Sequence, residues 1–199
     1  GHGQKSDDLS LIELLMAPLS SAYVTPGAEQ ATSQSQLAEW SLVFEVKPSS
    51  FAIFDPLPLL LSVLLEVPGL RNHSGTLYTI ISELYTNALE HGVLGLDSSI
   101  KDDPEGFERY YQLRRERTQA IKEGYVKITL AHKTHTEGGS LAITVADSGR
   151  GFVPNERTEQ TGNEYSGRGL KLVESLCDAL EVRGAGNVVA ATYCWHTDD

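Results

Sequence analysis

Basic side chains are in short supply in this chain of 199 residues: 16 Lys and Arg stand against 27 Asp and Glu, for a net charge of -11. A duplex-binding surface needs an excess of Lys and Arg, so nucleic acid is disfavoured as a partner. An anionic membrane surface is disfavoured on the same ground. Long apolar runs are missing too. The longest, residues 57–65, is broken by Pro58 and falls far short of the roughly 20 residues that span a bilayer. Cysteine is scarce. Cys177 and Cys194 lack metal-ligand spacing; one falls in an apolar helical pattern and the other in an apolar strand pattern. That predicts two reduced core thiols in a cytoplasmic protein. No signal peptide pattern is visible, and Gly1-His2-Gly3 reads as an expression remnant. No internal repeat is apparent.

What is present is an ordinary globular composition, 40% apolar and 22% charged, with room for one domain and a real core. Residues 9–16 form a short apolar run with helical spacing. Residues 18–36 are poor in large apolar side chains and rich in Ser, Thr, Gln, Ala, Gly and Pro, so 1–39 reads as a tag and a linker-like arm of a longer chain. The domain is expected over 40–199. Alternation predicts a strand over 40–46. A helix follows over 55–67, with Asp55 as cap, Pro56 in the first turn and Pro68-Gly69 as its stop. The next helix runs from about 74 to 94. Asp103-Pro104 opens another, ended by Gly124, with Phe107, Tyr110, Tyr111 and Ile121 as its anchoring side. Its Arg109, Arg114, Arg115 and Arg117 read as a solvated face. Strands are expected over 125–131 and 141–146, joined by a turn at Glu137-Gly138-Gly139. A helix over 169–180, a short strand over 181–183, a turn at 184–186 and a last strand over 188–195 complete the chain. This segregation predicts an α+β two-layer sandwich, with helices on one face of a mostly antiparallel sheet.

The helix at 74–94 is the most informative stretch. Leu77, Ile81, Leu84 and Ala88 mark its apolar face. Glu83, Asn87 and Glu90 fall three and four apart, which places them together on a neighbouring face. An amide oxygen is a hard, neutral ligand suited to Mg²⁺, and a carboxylate one turn away can take a proton from a hydroxyl. A solvated polar stripe would have the same spacing. Two glycine clusters lie further along. Asp147-Ser148-Gly149-Arg150-Gly151 comes off a strand, where an acid needs a donor partner and glycines let the backbone approach a flat group. Gly167-Arg168-Gly169-Leu170 opens a helix, where free N–H groups attract phosphate. A Gly-x-Gly by itself is more often only a turn. Neither Gly-x-x-x-x-Gly-Lys-Ser/Thr nor a strand–helix Gly-x-Gly-x-x-Gly occurs, which excludes the P-loop and Rossmann phosphate sites.

In order and context, Glu83-x-x-x-Asn87, Asp147-x-Gly149-x-Gly151 and Gly167-x-Gly169-Leu170 resemble the motifs of the GHKL ATPase superfamily. The resemblance covers about residues 40–195 and implies the Bergerat ATP-binding fold, with ATP and Mg²⁺ as cofactors. Within that superfamily, Glu83-Leu-x-x-Asn87-Ala-x-Glu90-His91-Gly92 and Gly167-Arg-Gly-Leu-x-Leu-Val-x-Ser-Leu-Cys-Asp178 resemble the anti-sigma-factor serine kinases. By position, the resemblance implies Asn87 as the Mg²⁺ ligand and Glu83 as general base. Asp147 would take the adenine amino group, with Gly149 and Gly151 against the base. A lid would span 148–166, and Gly167, Arg168 and Gly169, followed by Leu170, would lie at the phosphates. Two features depart from the pattern. An insert over about 97–124 is long for a free-standing kinase of this branch, and resembles the kinase-like domains that close large response-regulator phosphatases. Gly186-Asn187 stands where Gly-Thr is usual.

The resemblance implies a protein serine/threonine kinase acting on a small STAS-type anti-sigma-factor antagonist. A sigma factor is a possible further partner, and relatives of the branch form homodimers. Two alternatives stay open. One is a nucleotide-gated binding module with little catalysis, for which a retained Glu83 would be unneeded. The other is the ATP-binding half of a histidine kinase. His73-Ser-Gly-Thr-Leu superficially resembles a phospho-acceptor box, but only 14 residues separate it from Asn87; His73 reads as a helix-start residue. A gyrase-like role is disfavoured by the acidic charge.

Overall fold

The computed structural model describes residues 12–16, 39–102, 104–151 and 168–196. Alternation sets the sheet. In β2 (Trp40–Val46), Leu42, Phe44 and Val46 are buried while the residues between them are only partly covered. The same period of two runs through β3 (Val126–His135) and β4 (Gly138–Asp147), where Val126, Ile128, Leu130, Leu141, Ile143 and Val145 point into one layer. Successive side chains of a strand face opposite sides, so these strands present a single apolar face. With β1 (Ile12–Met16), β5 (Ala179–Arg183) and β6 (Val188–His196), the sheet order is β1-β2-β3-β4-β6-β5. Every pairing among these strands is antiparallel.

Helices cover that face. Asp55 Oδ1 accepts from the Leu57 N–H at 3.0 Å and starts α1 (Leu57–Leu65). Gly69, at φ 87°, turns the chain out of it in a left-handed conformation that a side chain would resist. The next helix, α2 (Ser74–Thr86), buries Leu77, Ile80, Ile81, Leu84 and Tyr85. It packs against α1, against β4 and against α4 (Arg168–Leu176). One hydrophobic cluster runs from Leu42 to Trp195. The α+β architecture is therefore as the element order implies.

Several local expectations are overturned. Residues 12–16 form a strand on β2, with Ile12 opposite Phe44 and Met16 opposite Trp40, not a helix. Five residues make little more than one helical turn, whereas the open edge of β2 offers unpaired backbone groups. The hairpin between β3 and β4 turns at Thr136 and Glu137, and Gly138 already pairs with His135. Cys194 is exposed rather than in the core, because its neighbours Tyr193 and Trp195 take the inward side. Both thiols are free. Burial pushes Cys177 up to about 11, and burial followed by Asp178 raises Cys194, so neither is a ready thiolate. The arm at 18–36 lies outside the described residues.

The segment expected to be an insert forms a short turn, Ser98–Asp102, and α3 (Pro104–Ala120). Tyr110 is fully buried and Ile121 half-buried, but Phe107 and Tyr111 are exposed. The inward face of α3 instead carries Gly106, Tyr110, Arg114 and Thr118. These recur every four residues, so polar side chains share the buried stripe with one aromatic ring.

Candidate functional site

Three pieces of chain far apart in sequence meet at one end of the helix layer. The first is the end of α2. At Asn87 the backbone widens from an α-helix into a π-helical segment, Asn87–Val93. The Asn87 N–H reaches both the Glu83 and the Leu84 carbonyls, and the Leu94 N–H reaches back to Leu89 at 2.8 Å. Each residue of this wider turn advances by less than the α-helical step of about 100°. Glu90 therefore leaves the face shared by Glu83 and Asn87. Its carboxylate accepts from Tyr110 Oη at 2.6 Å and from Arg114 Nε at 2.7 Å, under α3. The expected grouping of three polar residues on one face is corrected to two.

The second piece is α4. Its first turn crosses α2 at Glu83 and Asn87. A Cβ added to Gly169 would collide with Glu83 Oε2 and stand 3.5 Å from Asn87 Nδ2. A side chain at 169 would thus have to push the Glu83 carboxylate aside, and both polar side chains stay half-buried in the gap. Arg168 is exposed at the helix start. Leu170 packs against the core and anchors the turn. Gly167 and most of the expected lid, 152–166, lie outside the described residues.

The third piece is the end of β4. The inward alternation of Leu141, Ile143 and Val145 continues onto Asp147, which puts a carboxylate where another valine would sit; it is 7% exposed. Gly149 N–H donates to its Oδ1 at 2.7 Å, and Oδ2 has no hydrogen-bond partner among the described residues. Burial pushes the Asp147 carboxyl above the usual carboxylate range, and the Gly149 N–H pulls it partly back. The π segment supplies the opposite wall. A Cβ on Gly92 would overlap the Asp147 carboxylate, and one on Gly149 would overlap the Gly92 carbonyl oxygen. Gly151, at φ 77°, leaves no room for a Cβ against the Ala185 carbonyl.

Around Asp147 the backbone is braced from two sides. Its N–H donates to the Asn187 carbonyl at 3.0 Å, and Asn187 Nδ2 donates to its carbonyl at 3.1 Å. The Asn187 side chain thus gives one bond, from its amide N–H, while the bond it receives is at its backbone carbonyl. Ser148 holds Tyr125 by two bonds, Ser148 N–H to the Tyr125 carbonyl and Tyr125 N–H to Ser148 Oγ.

Chemically, the arrangement offers a buried carboxylate held by one backbone N–H, two glycines that let the backbone pack closely against it, and an acid and amide pair on the helix that leads into the same π segment. No cluster of three His, Cys, Asp or Glu side chains suited to a metal occurs among the described residues. Asn87 would be the protein's ligand to an ion whose other ligands come from phosphate and water, which is the habit of Mg²⁺. Glu90, Asn187 and Gly92 are each noticeable in the sequence, but the contacts that give them their roles here are not. The place of Asn187 just before the last strand was visible, but its two bonds to Asp147 depend on the sheet register.

A family model described as a histidine kinase-like ATPase domain matches residues 71–193, more than half of the chain. That span contains Glu83, Asn87, Asp147 and both glycine clusters. A comparison with curated proteins returned no match.

Proposed function

Given that the chain belongs to the histidine kinase-like ATPase family, we propose that it binds Mg²⁺ and ATP and transfers the γ-phosphoryl group to a serine or threonine of a small STAS-type anti-sigma-factor antagonist. The observation that carries this reading is the meeting of Glu83, Asn87 and Gly169 in one gap, with the buried Asp147 carboxylate packed against Gly92 of the segment that begins at Asn87. The branch-like runs around Glu83 and Gly167 support the choice of a hydroxyl acceptor. Asp147 Oδ2 would accept from the adenine amino group, and Gly92 and Gly149 let the backbone close tightly around that carboxylate. Asn87 would hold the metal, which when bound screens the triphosphate charge. The acceptor oxygen attacks the γ-phosphorus, the bond to the β-phosphate oxygen breaks, ADP leaves, and Glu83 takes the hydroxyl proton.

Transfer to a histidine on another protein is the competing reading. His73 of this chain is not a candidate acceptor at its own site. It opens α2 and bonds to Tyr193 Oη at 2.7 Å, while Asn87 lies at the far end of the same helix, roughly 20 Å away at 1.5 Å per residue. Phosphoamino-acid analysis of a labelled partner separates acid-stable phosphoserine from acid-labile phosphohistidine.

Calorimetry with ATP, with and without Mg²⁺, tests the site directly. Asn87→Ala is expected to remove the gain in ATP affinity that Mg²⁺ confers. The melting temperature of the free protein should hardly move, because Asn87 lies outside the apolar stripe of α2. A large loss of stability with Mg²⁺ dependence intact would make Asn87 a structural amide.

Asp147 sets base identity. A carboxylate accepts from the adenine amino group but faces the carbonyl of guanine. Asp147→Asn is expected to narrow the preference for ATP over GTP by about 1–3 kcal/mol, the cost of an unpaired buried polar group. The pH dependence has a definite sign. The ionised form receives the amino group, so affinity falls as pH drops through a pKa raised above the ordinary value of about 4. In the nucleotide-free protein the sign is opposite. Protonating this buried carboxyl favours the fold at low pH, and that contribution is lost as pH rises through its raised folded-state pKa. Unchanged ATP and GTP affinities in Asp147→Asn would move the base elsewhere.

A further inference from the structure

Resting on the nucleotide site proposed above, we infer that the inserted helix α3 shapes that site, with Arg114 and Tyr110 acting as positioning residues for Asn87 through the Glu90 carboxylate.

Glu90 is a carboxylate only 7% exposed, three residues beyond Asn87 in the π segment. A buried acid without partners is costly, and among the described residues its hydrogen-bonding and ionic partners come from the insert. Tyr110 Oη donates at 2.6 Å, Arg114 Nε at 2.7 Å, and Lys101 Nζ stands 3.9 Å away. Lys101 also sits 3.8 Å from the centre of the Tyr110 ring. Burial, and then the bond to Glu90, raise Tyr110 far above an ordinary phenol, so it remains an O–H donor. Further along the segment, Arg117 Nη1 donates to the Leu94 carbonyl at 2.8 Å and the Gly95 carbonyl at 2.6 Å. The expectation that Arg114 and Arg117 are simply solvated is thereby overturned. A buried acid and two open carbonyls left by the widened turn give both guanidiniums partners.

These contacts have a consequence for the site. A π turn is rare and less favourable than continued α-helix. Continued as an α-helix, the segment would bring Glu90 back onto the face of Glu83 and Asn87, next to where phosphates would lie. It would also rotate Gly92 away from the Asp147 carboxylate. By holding Glu90 under α3, the insert keeps a second negative charge out of the phosphate end and holds Asn87 and Gly92 at their stations. Ligand-orienting partners of this kind typically change metal affinity by 10–100-fold.

The test uses the full chain and ATP. Arg114→Gln is expected to reduce the ratio of ATP affinities with and without Mg²⁺ by about tenfold or more, measured well below its melting temperature. Arg114→Lys should restore part of it, and Tyr110→Phe should fall between. Arg115→Gln, on the exposed side of the same helix, should leave the ratio unchanged. In the nucleotide-free protein, the Asn87 side-chain amide resonance should shift in Arg114→Gln. The Leu94 and Leu96 amides, which bond to the Leu89 and Glu90 carbonyls, should exchange faster, and Arg114→Lys should return both toward wild type. A lower melting temperature with an unchanged ratio and an unshifted Asn87 resonance would reduce Arg114 to a brace and overturn the inference. If the wild type binds no adenine nucleotide, the site reading fails, and the nucleotide-free resonance and exchange data decide the inference alone.

Discussion

Glu83→Gln is expected to bind Mg²⁺ and ATP within a few-fold of the wild type and to transfer phosphoryl to a STAS-type partner about 10²–10⁴-fold more slowly, the usual contribution of a general base. Gln keeps the shape of Glu but cannot take a proton. Glu83 sits one turn before Asn87 and in the gap beneath Gly169, so a hydroxyl directed at a phosphate held by Asn87 passes its carboxylate. Glu83→Ala should fail to the same extent, since neither variant has a base. The measurement is single-turnover phosphorylation at saturating ATP, with nucleotide affinity determined in parallel. Equal rates for wild type and both variants would remove Glu83 from the chemistry. Tight partner binding with no transfer by the wild type would favour a nucleotide-gated binding module.

Gly149→Ala should weaken ATP binding by about 10–100-fold. Its Cβ would overlap the Gly92 carbonyl oxygen and approach Asp147 Oδ1 at 2.7 Å. The first is backbone of the π segment and the second is the buried carboxylate, so neither can swing aside as a flexible side chain would. Overpacking of this sort costs about 1–3 kcal/mol, and displacing Asp147 adds the loss of its bond to the base. The first cost lowers the melting temperature; the second, about 1–3 kcal/mol, is the one that reads out in affinity, as about 10–100-fold. Gly75→Ala is the matched control, because nothing lies within 4 Å of its added Cβ. It sits in the first turn of α2, where Ala is the better helix former, by up to about 1 kcal/mol. Its melting temperature should rise slightly and its ATP affinity should not change. Equal ATP affinity in Gly149→Ala and wild type would place the nucleotide away from the Asp147 wall.

The apolar face of α2 was legible because Leu77, Ile81, Leu84 and Ala88 repeat with the helical period, and all four are buried. The strand at Trp40–Val46 was legible to the residue, since an alternating pattern with one buried face permits one register. The pieces of the candidate site were readable as well. Glu83 and Asn87 lie one turn apart on a single helix, Asp147 ends a strand, and the glycines follow at fixed offsets. Each of these is a relation between near neighbours in the chain.

Tertiary structure decided what those pieces do to one another. No local pattern marks a π turn, because Asn87–Val93 widens under contacts supplied by residues 101–117, beyond the end of the turn itself. No composition separates Arg114, bonded to a buried acid, from Arg115, which is solvated one position away. A helix buries whichever stripe meets a partner, and on α3 that stripe was fixed by Glu90 and the open carbonyls of Leu94 and Gly95, not by the exposed Phe107 and Tyr111. Residues 12–16 became a strand for a similar reason: a short run takes the structure that satisfies its neighbour's backbone. Sequence by itself determined the layer architecture and the identities of the chemical groups, because burial periodicity and side-chain chemistry are local properties. The closeness of Gly92 to Asp147, and the withdrawal of Glu90 from Asn87, came only from the fold, because each depends on where separate elements dock.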